Sequence, residues 1–209
     1  KLVISNLSFP ECVVALSNDS LAILENGKER LIRYDLTTKQ ITVIAVFTNR
    51  TGIQGGIDDF AFDPQTKNFI VPDTPNGIVW RVSLDGKTVK EIARGFKQPT
   101  SAYIERDGSI LITDKGAGTI KRIRSNGKVD LMIAIPVSPD GAISDEAGNI
   151  FSVTLQDSAV HLLRVGSQKD EVYISGLKKP AAPMWDDDGN LLIAESGAGR
   201  LIKIIIRSS

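Results

Sequence analysis

Three carboxylates of this chain occupy positions from which they could hold a metal ion together. Glu11 and Asp140 each follow a proline and open a hydrophobic run, and Asp58 opens a third run. Like charges about 6 Å apart repel by about 1 to 3 kcal/mol per pair at effective dielectric constants of about 20 to 40. A hard divalent cation removes that repulsion, and calcium is a natural occupant of an all-oxygen site. We therefore predict a divalent-cation site, with calcium favoured, at Glu11, Asp58 and Asp140.

Two alternatives to a metal site remain open for these carboxylates. They could be solvated acids that cap strand ends, or Asp59 could exchange roles with its neighbour Asp58. Other catalytic chemistry has less support, because the single histidine, His161, cannot form a His-rich zinc site or a histidine dyad. Cys12 is the single cysteine and has no visible histidine partner, which argues against a nucleophilic thiol.

A repeat of about 41 residues positions these groups. Five hydrophobic runs superpose, with starting points that are 48, 41, 40 and 41 residues apart. A repeat of roughly 40 residues made of four short strands is typical of a β-propeller blade. Asp-Gly and Gly-Asn turns separate the runs, and helical periodicity is missing from the sequence. The five runs are residues 21–25, 69–73, 110–114, 150–154 and 191–195.

Each of these five runs ends in an acidic or hydroxyl residue. Such a residue usually accepts backbone N–H bonds from the tight turn that follows, so we interpret the five as structural caps. His161 lies on a third strand, where the neighbouring repeats have Trp80 and Lys121, and we interpret it as a packing or surface residue. The five end residues are Glu25, Asp73, Asp114, Thr154 and Glu195.

The predicted fold is all-β: a five-bladed β-propeller of four-stranded antiparallel blades. The fifth repeat lacks its fourth run, and residues 2–10 match residues 172–180 position by position. We therefore predict that the N-terminal strand, residues 1–6, completes the last blade by pairing with residues 201–206 and so covers two strand edges. The chain is then one domain, residues 1–209. Its predicted blades are at about residues 7–47, 54–95, 98–136, 138–176, and 178–209 plus 1–6.

The composition narrows the choice of partners. Twenty-five basic and 25 acidic residues give no net charge, which argues against a nucleic-acid groove. No apolar run approaches the roughly 20 residues that are needed to cross a bilayer. We expect a monomer that binds a small-molecule ligand or a protein partner, with no nucleic-acid partner and no membrane span.

Two segments, residues 139–151 and 183–194, carry the pattern of an apolar run, a Gly-Asn turn and a second apolar run. This pattern resembles two related propeller groups, the NHL repeats and the senescence marker protein/gluconolactonase group of metal-dependent lactonases. In the lactonases a divalent metal is held by a Glu and an Asn that open inner strands and by the Asp of a Pro-Asp-Gly. The resemblance implies that Glu11 and Asp140 are ligands, with Asp58 where the family has Asn.

The resemblance implies a gluconolactonase-like, metal-dependent hydrolase of a small lactone or ester, with its site at the mouth of the central channel. The metal would polarise the carbonyl group, and Asp140 could activate water as the catalytic residue. The alternative is a non-enzymatic NHL-like propeller that binds a protein, peptide or glycan on one face. Fold alone does not decide between the two functions.

Overall fold

The computed structural model describes residues 2–48, 56–135 and 137–206. Within these residues, nineteen strands form five antiparallel sheets, of which four have four strands and one has three. The all-β class and the five-bladed β-propeller that the repeat predicts are therefore confirmed. The one helix assigned in the described ranges is a single 3-10 turn at Asn26–Lys28.

The first two sheets keep their strands in chain order. The first sheet contains β1 (Pro10–Ser17), β2 (Ser20–Glu25), β3 (Arg30–Asp35) and β4 (Ile41–Val46). The second contains β5 (Ala61–Asp63), β6 (Asn68–Asp73), β7 (Ile78–Ser83) and β8 (Val89–Arg94).

The other three sheets follow the same pattern. The third contains β9 (Pro99–Ile104), β10 (Ile110–Asp114), β11 (Thr119–Ile123) and β12 (Val129–Ala134). The fourth contains β13 (Pro139–Ser144), β14 (Ile150–Thr154), β15 (Ala159–Leu163) and β16 (Asp170–Ile174). The last contains β17 (Pro180–Trp185), β18 (Leu191–Glu195) and β19 (Arg200–Ile204).

The second strand of each sheet is largely buried, which explains why the five hydrophobic runs are the clearest signal in the sequence. All five residues of β10 and all five of β14 are buried. The fourth strands are more exposed, and β16 contains no buried residue. A short, continuous apolar run is the expected sequence of a strand covered on both faces, whereas an outer strand tolerates polar residues.

The chain divides into two compact units, residues 1–104 with β1–β9 and residues 105–209 with β10–β19. In the first unit, Leu24 and Leu31 belong to a buried cluster that includes Phe60 and Phe69. The rings of these two phenylalanines pack edge to face at 5.6 Å. In the second unit, Phe151 packs edge to face on Trp185 at 5.4 Å. Both units therefore have apolar cores built from neighbouring strands.

The N-terminal segment differs from the strand predicted for it. Residues 2–9 belong to no strand, because Asn6 and Phe9 adopt left-handed backbone angles, with φ of 63° and 46°, that interrupt an extended chain. Ile4 and Leu7 instead pack against a buried cluster that contains Tyr34. The segment is therefore anchored on the first sheet by its apolar side chains.

Deleting residues 1–7 is expected to lower the melting temperature by several degrees. The deletion removes the apolar contacts of Ile4 and Leu7 with Ile23, Ile32 and Tyr34, and the bond that the Tyr34 hydroxyl donates to the carbonyl of Val3 at 3.2 Å. Differential scanning calorimetry measures the change. Substitution of the exposed Leu2 by Ser is the matched control and should leave the melting temperature unchanged. A truncated protein as stable as the parent would contradict this anchoring role.

Candidate functional site

Glu11 is the extra residue of a β-bulge at the start of β1. In the pairing of β1 with β2, Pro10 lies opposite Glu25 and Cys12 lies opposite Leu24, so Glu11 has no cross-strand partner. Its side chain is exposed. Bulges re-aim side chains and are common beside active sites.

Asp140 occupies the same structural position in the fourth sheet. Pro139 lies opposite Thr154 and Gly141 lies opposite Val153, so Asp140 is the extra residue at the start of β13. The repeat alignment that placed Glu11 and Asp140 at equivalent positions therefore corresponds to a shared backbone irregularity. Neither bulge was visible in the sequence, because an extra residue does not change the hydrophobic alternation strongly enough.

Asp140 forms an ion pair with Lys115, which lies in the turn between β10 and β11. The Lys115 Nζ atom is 2.8 Å from Asp140 Oδ1. The pair is accessible to solvent, since the lysine side chain is 35% exposed and the aspartate side chain 24%. An ammonium group at this distance occupies the place on Oδ1 that a metal ion would need. The pair as it stands therefore does not fit a divalent cation at this atom.

Asp58 and Asp59 accept hydrogen bonds from different groups of the first unit. Asp58 Oδ1 accepts a hydrogen bond from the side-chain amide of Asn26 at 3.1 Å. Asp59 accepts from the Cys12 thiol and from the backbone N–H groups of Phe60 and Ala102. Burial raises the pKa of Asp59 to about 6, and these hydrogen bonds oppose the rise. The two neighbouring acids are not interchangeable in this environment.

Cys12 is a structural thiol and not an activated nucleophile. Burial, reinforced by the charge of Asp59, raises the pKa of the Cys12 thiol above its ordinary value. The Sγ atom lies 3.8 Å from the carbonyl oxygen of Phe60. Because the thiolate is the reactive form of cysteine, a raised pKa makes this residue inert at neutral pH.

The predicted metal ligands belong to different units of the chain. Glu11 and Asp58 lie in the first unit and Asp140 lies in the second. Across residues 2–48, 56–135 and 137–206, no three His, Cys, Asp or Glu side chains are grouped so that they could hold a metal ion. The convergence of Glu11, Asp58 and Asp140 on one calcium ion stays a prediction.

The acids that end β2 and β6 in the first unit are structural groups. Glu25 is fully buried and accepts the backbone N–H of Ser8 at 2.9 Å and the guanidinium of Arg30 at 2.5 Å. Asp73 is also buried and accepts the indole N–H of Trp80 at 2.9 Å. Each acid therefore holds a residue of the third strand of its sheet.

The second unit repeats this arrangement. Asp114, which ends β10, is fully buried and accepts the Lys121 ammonium at 2.8 Å. Glu195, which ends β18, accepts the backbone N–H of Lys178 at 2.7 Å and also pairs with Arg200. Of these four acids, Asp73 accepts a backbone donor from the turn that follows, the N–H of Asn76 at 3.2 Å. The backbone donors of Glu25 and Glu195 instead precede the first strand of their sheets, and each acid also binds a donor from the third strand, so the prediction of caps for the following turn is wrong for these two residues.

The fourth sheet uses a different set of groups for the same purpose. Thr154 takes the place of the buried acid and donates a hydrogen bond to Asp157 in the following turn. The buried His161 lies between two carboxylates, with Nε2 at 2.8 Å from Asp157 Oδ2 and Nδ1 at 2.5 Å from Asp170 Oδ2. Each ring nitrogen therefore faces a carboxylate oxygen at hydrogen-bond distance, and an ionised carboxylate can only accept a hydrogen bond. His161 is thus the counterpart of Lys121.

Two contacts of the candidate site were not predicted from the sequence. Lys115 is 25 positions from Asp140 in the chain, and Asn26 is 32 positions from Asp58. The repeat gives one weak signal for Lys115, because it places this residue in the turn directly after a buried second strand. Nothing in the spacing indicates which side chain of that turn reaches the next sheet.

The comparison with protein families finds no matching family, and no curated protein matches the sequence. Solved structures do match. A propeller of the gluconolactonase family has a TM-score of 0.76 at 13% identity, over 99% of this chain and 81% of that chain. A nidogen/laminin complex has a TM-score of 0.76 at 16% identity, over 94% of this chain and 75% of that chain. A catalytically inactive virginiamycin B lyase from Staphylococcus aureus with quinupristin has a TM-score of 0.72 at 15% identity, over 93% of this chain and 69% of that chain.

These likenesses define the class of protein. At such low identity they show the fold, and the fold they share with this chain is the β-propeller. Assignment to the NHL repeats or to the gluconolactonase group stays a prediction. In the part of the chain that the structure describes, no helix has the length and apolar character to cross a membrane.

Proposed function

We propose that the protein is a hydrolase of a small lactone or ester, with Asp140 as the residue that activates water. The observation that carries this proposal is the accessible pair of Asp140 and Lys115, whose charged atoms are 2.8 Å apart. Asp140 stands in a bulge and follows the buried Pro139, so the backbone presents its carboxylate at a defined position. Ester hydrolysis is accelerated by a base and by a donor that stabilises the developing oxyanion, and this pair contains both.

The reaction balances with these two residues. Asp140 takes a proton from water while the water oxygen adds to the carbonyl carbon of the lactone. The negative charge that develops on the carbonyl oxygen is stabilised by the Lys115 ammonium. The tetrahedral intermediate then breaks the ring C–O bond, and Asp140 returns the proton to the leaving alkoxide. The product is a hydroxycarboxylic acid, and both residues end in their starting states.

Structural likeness supports the proposal at the level of class. One of the structures named above is described as a candidate gluconolactonase and another as an inactive variant of a lyase, and both share the fold over most of this chain. Neither likeness carries a substrate to this protein. The lactone or ester class is inferred from the chemistry that an accessible carboxylate and ammonium can perform.

Replacing Asp140 with Asn is expected to lower kcat for lactone hydrolysis about 100-fold to 10,000-fold, because the base is lost while the shape is kept. A panel of small lactones and aryl esters, followed by acid release, measures this. Asp187→Asn is the matched control, since Asp187 is exposed in a turn of the same unit, and it should keep parental activity. An Asp140→Asn variant that hydrolyses as fast as the parent would disprove the catalytic role.

A second candidate function is binding without turnover, as in a non-enzymatic NHL-like propeller. The observation that favours it is Phe9, an aromatic residue that is 76% exposed on a left-handed backbone with φ of 46°. Residues held in a left-handed backbone conformation cluster at functional sites, and an exposed aromatic ring offers apolar surface to a partner. The nidogen/laminin structure shows that a related propeller occurs in a protein complex. The partner would be a protein, peptide or glycan.

The hydrolysis panel separates the two functions. A binding propeller shows no turnover of any lactone or ester, and its Asp140→Asn variant keeps full affinity for the partner. In that case Phe9→Ser should weaken binding, while Val89→Ser, which removes another exposed apolar side chain of the first unit, should not.

A further inference from the structure

The turn that carries Lys115 is held firmly on both sides. Asp114, the residue before it, is fully buried and bound to Lys121 at 2.8 Å. The backbone N–H of Ala117 donates to the carbonyl of Asp114 at 3.1 Å, and that of Gly118 donates to the carbonyl of Lys115 at 3.2 Å. The base of the Lys115 side chain is therefore set by the fold and does not depend on the ion pair.

The other member of the pair is equally well placed. Asp140 lies in the bulge between Pro139, which is buried, and Gly141, whose carbonyl accepts the hydroxyl of Ser152 at 3.1 Å. A lysine ammonium carries three N–H donors. One of them satisfies Asp140 Oδ1, and the lysine side chain is 35% exposed. An oxygen atom of a ligand can therefore reach the same ammonium.

We infer that Lys115 supplies at Asp140 the positive charge that a divalent cation would otherwise supply, and that it binds the carbonyl oxygen of the substrate. This inference rests on the proposed function for the identity of the ligand. It differs from the calcium prediction, because the cation is part of the chain. It also assigns a ligand class, namely neutral esters and lactones. Asp140 repels the carboxylate product, which favours release.

The test uses gluconate, a small hydroxycarboxylate, as an anionic probe in the presence of a chelator. Neutralising Asp140 removes the repulsion and releases Lys115, so Asp140→Asn should bind gluconate at least about ten-fold more tightly than the parent does. Adding Lys115→Met should abolish this gain, whereas adding Lys115→Arg should keep it. Lys128→Met in the same background is the control, because Lys128 pairs with Asp130 at a separate place in the unit.

Isothermal titration calorimetry gives the affinities, and two results would overturn the inference. One is an Asp140→Asn, Lys115→Met protein that binds gluconate as well as Asp140→Asn alone. The other is saturable calcium binding by the chelator-treated parent that Asp140→Asn removes. If the Lys115→Met variant does not fold, the salt dependence of gluconate binding by Asp140→Asn answers the same question. Binding through an ammonium weakens with sodium chloride, and binding insensitive to salt contradicts the inference.

These readouts are independent of turnover. A parent protein that hydrolyses no lactone, but whose variants follow the predicted order of gluconate affinity, disproves the hydrolase and leaves the role of Lys115 in place. Conversely, a hydrolase whose activity resists Lys115→Met disproves the role of Lys115 alone.

Discussion

Replacing Glu25 with Ala is expected to lower the free energy of unfolding by about 3 to 5 kcal/mol, the usual cost of breaking a buried ion pair from one side. The carboxylate is fully buried and is the acceptor for the Ser8 N–H and for Arg30. Both donors lose their partner in the variant. Urea unfolding followed by circular dichroism measures the loss, and Glu25→Gln, which keeps an acceptor but no charge, should lose less.

The direction in which the pKa of Glu25 is shifted determines how the stability lost in Glu25→Ala depends on pH. Burial alone would raise the pKa of Glu25, but the hydrogen bonds from Ser8 and Arg30 hold it below its ordinary value of 4.5. A carboxyl whose folded pKa is lowered stabilises the fold above its unfolded pKa and loses that contribution as pH falls through the folded pKa. The difference between the parent and Glu25→Ala should therefore shrink below about pH 4.5.

An exposed acid provides the matched control for Glu25. Glu146 pairs with Arg106 at 3.2 Å, and its side chain is 85% exposed. Its substitution by Ala should cost at most about 1 kcal/mol, because solvent screens such pairs. Equal losses at Glu25 and Glu146 would show that burial does not set the strength of these contacts.

Replacing His161 with Leu is expected to cost about 2 to 4 kcal/mol, since two carboxylates, Asp157 and Asp170, lose their shared donor. The neighbouring sheet suggests the matched variant. Lys121 pairs with the acid of its sheet from the equivalent position, so His161→Lys should keep an N–H donor there and lose less than half as much. Thermal and urea unfolding measure both variants.

The two hydrogen bonds of His161 can be followed directly, because it is the single histidine of the sequence. Nitrogen NMR of the imidazole should show that both ring nitrogens are hydrogen-bonded in the parent protein. Partial burial raises the pKa of Asp157, but hydrogen bonds with Thr154 and His161 outweigh burial and hold this pKa below its ordinary value of 3.8. This stabilisation is lost as pH falls through the folded pKa, and His161→Leu should weaken that dependence. A ring nitrogen without a hydrogen bond contradicts the prediction.

The repeat made the strand content predictable. Each second strand is a short apolar run that ends in an acid or a hydroxyl group, and the structure places β2, β6, β10, β14 and β18 at these runs. The signal is strong because burial on both faces favours apolar residues at most positions of such a strand. The N-terminal segment was harder to predict, since residues 2–10 match a strand in sequence. The left-handed angles of Asn6 and Phe9 depend on the surroundings of the folded chain.

In the candidate site, too, some features follow from neighbouring residues in the sequence, and others depend on residues that are distant along the chain. The equivalence of Glu11 and Asp140 could be predicted from the prolines before them, and both acids do stand in bulges at the start of a first strand. The partners of the acids could not be predicted, because Lys115 and Asn26 reach them from turns that are distant along the chain. A long side chain has many rotamers, and only the packing of neighbouring sheets selects the one that meets the carboxylate.

The sequence by itself determined the all-β architecture, the number of blades and the positions of the acids, because these follow from periodic burial and turn chemistry along the chain. Only the tertiary structure determined which polar and charged side chains pair with each other. It paired Asp140 with Lys115, enclosed His161 between Asp157 and Asp170, and directed Asp59 to Cys12. Electrostatic partners are set by distances of a few ångströms in space, and spacing along the chain carries no record of them.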